Sequence, residues 1–380
     1  MDKIRVLQFP IANSYGGITH YALDNWYRMD KERFHCDFAT MSKGLTFADE
    51  VEKTGARIFY LSCYPTENEQ QFRREFNAIL DNGYDVVHLH TKQWKNFIVE
   101  DICKKRRIKK VIVHSHCTRC DNNDQEIRRQ ETIIHEEIKK QFSEDMATDF
   151  WACSSDAADW LFGEQIPKDR IKIMKNAIDV DKFLYNEEIR RKVRNELEIA
   201  DDEFVIGNVG RLCYQKNQGM LISAYADMLE RGRKSNYSQV GKTKLIIVGE
   251  GDFRKAIEQQ IQELGLTDKV ILLGLRNDTN ELYQAFDLMT MTSRFEGLGI
   301  VLIEAQCSGL KCLVNATVPK EAEITKRVVW VENDIDSWSK ALVSNLEKCD
   351  RENMKSKIMI SGYDLDSQIK IIENEYDCKF

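Results

Sequence analysis

The sequence predicts an α/β protein made of two doubly wound parallel-sheet domains. Three observations carry that expectation. Short β-branched runs alternate with longer amphipathic stretches along the whole chain. Those runs are apolar almost throughout, not at every second residue, which is the pattern of strands covered on both faces. At 380 residues the chain is also long for a single core.

In chain order, the first half offers the strands IRVLQFP, FHCDFAT, RIFYLS, DVVHLHT, KVIVHSH, DFWACSS and IKIMKNA, with helical patterns such as 17–29, 67–81 and 126–142 between them. The second half offers FVIGNVG, KLIIVGE, KVILLG, DLMTMTS, KCLVNA and RVVWVE, again alternating with helices. So many parallel strands are a large number for one twisted sheet. Two sheets fit better, with the changeover near KIMKNAIDVDKF.

Hydrophobic content of 42% with 31% charged residues is ordinary for a soluble globular protein. No window approaches the ~20 apolar residues that span a bilayer, and MDKIRVLQFP reads as a strand start, not a signal peptide. The 11 cysteines, among them Cys36, Cys153 and Cys312, are scattered through apolar runs, the usage of reduced core thiols in a cytoplasmic protein. A net charge of −7 argues against a nucleic-acid binder. One basic run stands out, KKRRIKK, from Lys104 to Lys110. It reads either as a solvated helix end or as a contact with an anionic membrane surface, which would make the protein peripheral at the inner face of the cell membrane.

In doubly wound sheets, ligands bind outside the carboxyl ends of the strands. Those ends are Gly16-Gly17, His90, His116 and Asn176 in the first half. In the second they are Gly210-Arg211 with Lys216, Gly249-Glu250-Gly251, Arg276, and SRFEGLG from Ser293 to Gly299. In SRFEGLGIVLIEAQCSGL a strand ends at Ser293, a glycine loop follows, and a helix starts near Gly299. Gly297 and Gly299 let backbone approach a ligand, and free N–H groups at a helix start suit phosphate. Glu304, inside that helix among apolar neighbours, needs partners that ribose hydroxyls would supply; the alternative is a structural glutamate bonded to backbone. Glu296 reaches the same crevice from the loop. In GNVGRLCYQKNQG, Arg211 and Lys216 flank a short loop and suit a diphosphate, and Asn217 is placed to cap the next helix.

Together GNVGRLCYQKN, LIIVGEGDFR, KNAIDVDKF and the long run from KVILLGLRNDTN to AQCSGLKCLV resemble glycosyltransferase family 4, retaining enzymes of the GT-B fold that use nucleotide sugars. The likeness also takes in SYGGITHYA and YDLDSQIKIIENEY, and FEGLGIVLIEAQCSGL is similar to the branch that builds bacterial capsular polysaccharides and exopolysaccharides. The resemblance implies two Rossmann-like domains facing across a cleft. The acceptor-side domain would be 1–178 with a crossover helix at 364–380, and the donor-binding domain 179–363. It implies that Glu304 holds the ribose, and that Glu296 with the N–H groups of Gly297, Leu298, Gly299 and Ile300 holds the donor sugar and its phosphates. Arg211 and Lys216, beside Gly210, would neutralise the leaving diphosphate. Gly16 and Gly17 would admit the phosphates, His116 would bond a donor-sugar hydroxyl, and Leu275 and Arg276 would lie at the base. Two departures are Lys311 where proline is usual and Ala177 where glycine is common.

The activity so implied is transfer of a hexose or N-acetylhexosamine, with retention, from a nucleotide sugar (UDP preferred) to a growing lipid-linked surface polysaccharide. No carboxylate nucleophile stands out, so a front-face route resting on electrostatic stabilisation is expected, with no metal or other cofactor. Asp179-Val180-Asp181, Asp334-Ile335-Asp336 and Asp364-Leu365-Asp366 read as structural, not as metal motifs. The rival readings are a nucleotide-sugar epimerase, a non-catalytic sugar-nucleotide binder, and, remotely, a zinc or redox site in HSHCTRC built on His114, His116, Cys117 and Cys120. A dehydrogenase is disfavoured because GEGDFR lacks the third glycine of a dinucleotide fingerprint.

Overall fold

The computed structural model describes residues 3–13, 16–235 and 237–377. The chain divides into two compact units, Met1–Ala177 with Leu365–Phe380, and Ile178–Asp364.

The first unit holds β1 (Ile4–Phe9), β2 (Phe34–Thr40), β3 (Ile58–Tyr60), β4 (Val86–Thr91), β5 (Lys110–Ser115), β6 (Asp149–Ala152) and β7 (Ile171–Ile173). They form a 7-stranded sheet in the order β3-β2-β1-β4-β5-β6-β7, every pair parallel. The second unit holds β8 (Phe204–Val209), β9 (Thr243–Val248), β10 (Val270–Gly274), β11 (Leu288–Met291), β12 (Lys311–Asn315) and β13 (Val328–Val331). Its 6-stranded sheet runs β10-β9-β8-β11-β12-β13, again all parallel. Each apolar run of the sequence is therefore a strand. In each sheet the order reverses at one place, β1/β4 in the first and β8/β11 in the second. Loops diverge there and open the crevice in which such sheets bind ligands.

Helix ends differ from the spacing by one to three residues, and capping fixes the starts. The pattern at 67–81 becomes Glu69–Leu80, since the Asn68 side chain accepts from Gln71 N at 3.1 Å and so fixes the start. The pattern at 126–142 becomes Gln125–Lys139, started by Asp124, which accepts from Glu126 N and Ile127 N at 2.9 Å. The final helix, Leu365–Tyr376, returns to the first unit, where Ile369, Ile372 and Tyr376 join Val6, Trp26 and Phe34 in one core. Each fully buried side chain of that size contributes about 1.5–3 kcal/mol. The second core gathers Phe204, Leu221, Tyr225 and Trp338.

Of the aromatics near strand ends, Tyr21 and Trp94 are core residues at 5% and 2% exposure, whereas Tyr15 lies outside the described residues. Among the described residues no helix is long and apolar enough to cross a membrane. The basic run closes the helix Ile98–Lys105 and enters β5. Its charges have acidic partners: Lys104 with Asp145, Lys105 with Asp101, Arg106 with Asp81, Lys109 with Asp85, and Lys110 with Asp149. It is a helix end laced with ion pairs.

Candidate active site

The crevice of the second unit is built from the loops after β8 and β11, which adjoin in the sheet. Lys216, from the first loop, donates from Nζ to Glu296 Oε1 at 2.6 Å; the two side chains are 17% and 7% exposed. Gln215 Nε2 donates to Glu296 Oε2 at 3.3 Å and to the Phe295 carbonyl at 3.1 Å. Arg294 N donates to the Gln215 carbonyl at 2.8 Å, and Thr292 Oγ1 to that of Lys216 at 2.9 Å. The two loops are thus one hydrogen-bonded body, with a cation and a carboxylate held against each other at its centre.

The turn that follows needs glycine. Gly299 has φ +90°, and a Cβ there would meet Met291 Cε at 2.7 Å, so the chain turns tightly into the helix Ile300–Cys307. The first N–H groups of that helix, which an α-helix leaves without partners of its own, follow directly on Gly297 and Leu298. Glu304, one turn further on, is half-buried, and the Tyr283 hydroxyl donates to its Oε2 at 2.7 Å. Burial first, and then the charge of Glu304, push the Tyr283 pKa well up, so that hydroxyl stays a donor. Glu304 therefore has a protein partner, and its side chain is not fully buried.

Behind the crevice, the strand ends of β8 and β9 touch through backbone. A Cβ on Gly249 would lie 2.1 Å from the Gly210 carbonyl oxygen, at a φ of +138°. Lys216 packs its methylenes over Gly210, within 3.2 Å of where a Cβ would stand. Gly249→Ala is expected to destabilise the second unit by about 3 kcal/mol, because backbone cannot yield as a side chain does. The urea midpoint checks this, and an unchanged midpoint would contradict the close approach.

The remaining expected residues of this unit follow β8 and β10. Arg211 is exposed at the end of β8. Arg276 follows β10, where its Nε donates to Asp278 Oδ1 at 2.7 Å, which raises the guanidinium pKa. Beside it Leu275 is 62% exposed. Asn217 does not cap its helix through its side chain: it takes a left-handed conformation, and its Oδ1 accepts from Arg294 at 2.7 Å instead. A pocket of about 350 Å³ opens on that side, lined by Tyr214, Gln218, Phe253 and Arg294 among others. It contains neither carboxylate, so we do not take it as the site.

In the first unit, Gly16 starts the helix Gly17–Arg28, and a Cβ on Gly17 would meet nothing within 4 Å. The fold itself does not demand glycine at 17. His116 emerges just after β5 at 8% exposure and is bonded to His90, with Nδ1 of His90 2.9 Å from Nε2 of His116. His88 and His114 complete a buried set of four imidazoles on β4 and β5. Burial lowers all their pKa values, that of His90 to about 3, so every ring is neutral.

The metal reading of HSHCTRC does not hold in the form expected. Neither Cys117 nor Cys120 is in a disulfide, and among the described residues the grouping with metal-ligand spacing is His88, His90 and His114, without either cysteine. In that grouping His88 and His90 spend their nitrogens on hydrogen bonds to one another's neighbours: His88 to Tyr376 and His114, His90 to Gln8 and His116. Three converging free lone pairs are not on offer. The Asp-x-Asp segments are structural. Asp334 caps a helix by accepting from Ser337 N at 2.8 Å, Asp336 pairs with Arg231 and Lys340, Asp181 with Lys355, and Asp366 with Arg28.

Gln215, Arg294, Tyr283, Gln8 and Tyr376 escaped the sequence reading. Only the histidines carried a signal, two i, i+2 pairs on neighbouring strands that must share a face.

Two all-parallel α/β units, one with its charged pair and glycine turn gathered at the sheet's reversal point, are the architecture of the GT-B fold. Residues 189–358 match the family described as glycosyl transferases group 1. It is 27% identical over 382 residues to EpsF of Bacillus subtilis (strain 168), covering 98% of this chain and 96% of that one. It is also 27% identical over 221 residues to the Escherichia coli UDP-Gal:alpha-D-GlcNAc-diphosphoundecaprenol alpha-1,3-galactosyltransferase, covering 54% of each. In fold it is similar to Anabaena HepE, whose crystal structure holds UDP and glucose. The TM-score is 0.75 at 18% identity, over 98% of this chain and 99% of that one.

Proposed function

We propose that the chain moves a hexose or N-acetylhexosamine from a UDP-sugar, with retention, to a lipid-linked glycan of a growing surface polysaccharide. The observation that carries this reading is the Lys216–Glu296 pair bridging the β8 and β11 loops beside the Gly297–Gly299 turn. A diphosphate entering there meets the ammonium and the N–H groups of the helix start together, and Glu304 lies one turn away for the ribose. The E. coli relative, named for UDP-Gal and a diphosphoundecaprenol acceptor, and HepE with bound UDP support the choice of donor and acceptor.

In the reaction, the bond from the anomeric carbon to the β-phosphate oxygen breaks and the acceptor oxygen bonds the same face. The acceptor's proton passes to the departing phosphate. The protein's part is electrostatic: Lys216 and Arg211 stabilise charge on the diphosphate as it leaves, and no cation is assigned to the site. Attachment to an anionic membrane through Lys104 to Lys110 is left out of the proposal, because acidic partners offset that charge.

The test is a thermal-shift panel of UDP, GDP, ADP and NAD, each with and without EDTA. A nucleotide at 100 times its Kd stabilises the fold by about 2.7 kcal/mol. The expected result is a shift with UDP that ignores EDTA and disappears in Glu304→Ala. Destabilisation by EDTA with no nucleotide response would overturn the reading.

A further inference from the structure

The cavity of about 350 Å³ in the second unit has the size of a small-molecule site. Tyr214 and Asn217, which flank Lys216 in the loop after β8, form part of its wall. The helix Gln218–Lys234 begins at that wall, and Arg294 joins it from the loop after β11. Phe253 and Gln260 close it from the helix Arg254–Glu263 and its start. Ile335, 44% exposed, lines it from the start of the helix Ile335–Val343. Among the described residues no carboxylate lines the cavity, and Arg294 is the one charged side chain on its walls.

That guanidinium is only partly answered. Nη2 donates to Asn217 Oδ1 at 2.7 Å, and Cζ lies 4.8 Å from the centre of the Tyr214 ring. Nε has no hydrogen-bond partner among the described residues. Both contacts are with neutral groups, so they do not cancel the charge. Beside it, Asn217 gives the helix Gln218–Lys234 no side-chain cap. The first N–H groups, which an α-helix leaves without partners of its own, add a second positive end to the same cavity.

Gln218 supplies an independent signal. It lines the cavity, is 2% exposed, and spends Nε2 on the Gly210 and Arg211 carbonyls at 3.4 and 3.1 Å. Its Oε1 has no partner among the described residues. A buried acceptor left bare is costly, and a ligand hydroxyl relieves the cost.

We propose that this cavity binds a phosphorylated hexose. The phosphate meets Arg294 and the helix start, a hydroxyl donates to Gln218 Oε1, and the ring packs on Tyr214 and Phe253. Three terminal oxygens let a phosphate engage a guanidinium and helix N–H groups together, where a carboxylate has two. A bare phosphate leaves Gln218 and the aromatic walls unused, and an uncharged hexose leaves Arg294 unanswered. Neither Glu296 nor Glu304 lines the cavity, so this ligand is additional to the UDP-sugar of the proposed reaction.

Equilibrium dialysis of the full-length protein against glucose 6-phosphate, glucose 1-phosphate, glucose and inorganic phosphate, each with and without saturating UDP, tests the proposal. At least one sugar phosphate is expected to bind, and to remain bound with UDP present and in Glu304→Ala. Glucose and inorganic phosphate are each expected to bind about tenfold more weakly or worse, since each lacks half of the contacts. Inorganic phosphate binding as tightly as the sugar phosphates would overturn the proposal by leaving a simple anion site. Displacement of the sugar phosphate by UDP would overturn it by placing that ligand in the donor site. So would the absence of binding by either sugar phosphate at millimolar concentration.

Two variants locate the site. Arg294→Met is expected to abolish sugar-phosphate binding, but Arg294 also ties the two loops together and its loss can unfold the unit. Ile335→Glu avoids that difficulty: it adds a carboxylate to the cavity wall at an exposed first helical position, where negative charge suits the helix. It is expected to weaken sugar-phosphate binding by about tenfold or more, with the urea midpoint held. Unchanged binding in Ile335→Glu would overturn the assignment to this cavity.

Discussion

Replacing Lys216 with alanine is expected to slow sugar transfer by about 100-fold or more, the loss seen when a preorganised charge-stabilising group is removed. The ammonium is fixed before substrate arrives, because Glu296 holds it at 2.6 Å in a setting where neither side chain is more than 17% exposed. Preorganisation of this kind costs no rearrangement as the diphosphate departs. The same geometry makes the single substitution ambiguous, since it leaves the Glu296 carboxylate buried without its cation. Breaking a buried pair on one side costs about 3–5 kcal/mol. Two further variants separate the effects. Lys216→Ala with Glu296→Gln removes both charges, so the urea midpoint should recover while the rate does not. Arg211→Ala alters an exposed side chain, so it should lower the rate while moving the midpoint less than Lys216→Ala does. A folded Lys216→Ala enzyme within about threefold of wild type in kcat/KM would remove Lys216 from the chemistry.

Acidification from pH 7 to pH 5 is expected to destabilise the first unit much more than the second. All 7 histidines of the chain lie within residues 20–135, and the second unit has none. Burial lowers the pKa of His88, His90, His114 and His116 in the folded protein. The unfolded chain therefore binds protons below about pH 6.5 that the folded one refuses, and stability falls as pH falls through that value. For His90, with a folded pKa of about 3, the loss at pH 5 is about 2 kcal/mol. His88, His114 and His116 add to it in the same direction. Glu100 acts oppositely: burial raises its pKa to about 7, so protonation favours the folded state as pH falls, but it is one group against four. Pulse proteolysis at the two pH values, with the cuts located by mass spectrometry, should show residues 3–177 opening first at pH 5. Equal sensitivity of both units would contradict the neutral, buried histidine set.

What the sequence disclosed about these two regions follows a simple division. The strands were legible because each is a short β-branched run whose burial on both faces leaves a local trace. Loop residues such as Lys216 and Glu296 were legible as candidates because strand ends and glycines mark where a crevice opens. Their partnership was not, since it spans 80 residues. The same limit hid Tyr283 behind Glu304 and let Arg294 draw Asn217 away from its helix start. It also concealed the neutralisation of the basic run, whose partners Asp81, Asp85, Asp145 and Asp149 lie on other elements. Gln8 and Tyr376, 368 residues apart, meet only because the last helix comes back to the first sheet.

That returning helix also sets an order of completion during synthesis. Residues 178–364 are continuous in the chain, so a ribosome that has released them has delivered the whole second unit. At that moment the first unit, although translated earlier, still lacks Ile369 and Ile372 from its core and Tyr376 from its histidine chain. The unit made first is the unit finished last, and through that interval its apolar face is open to whatever receives the nascent chain.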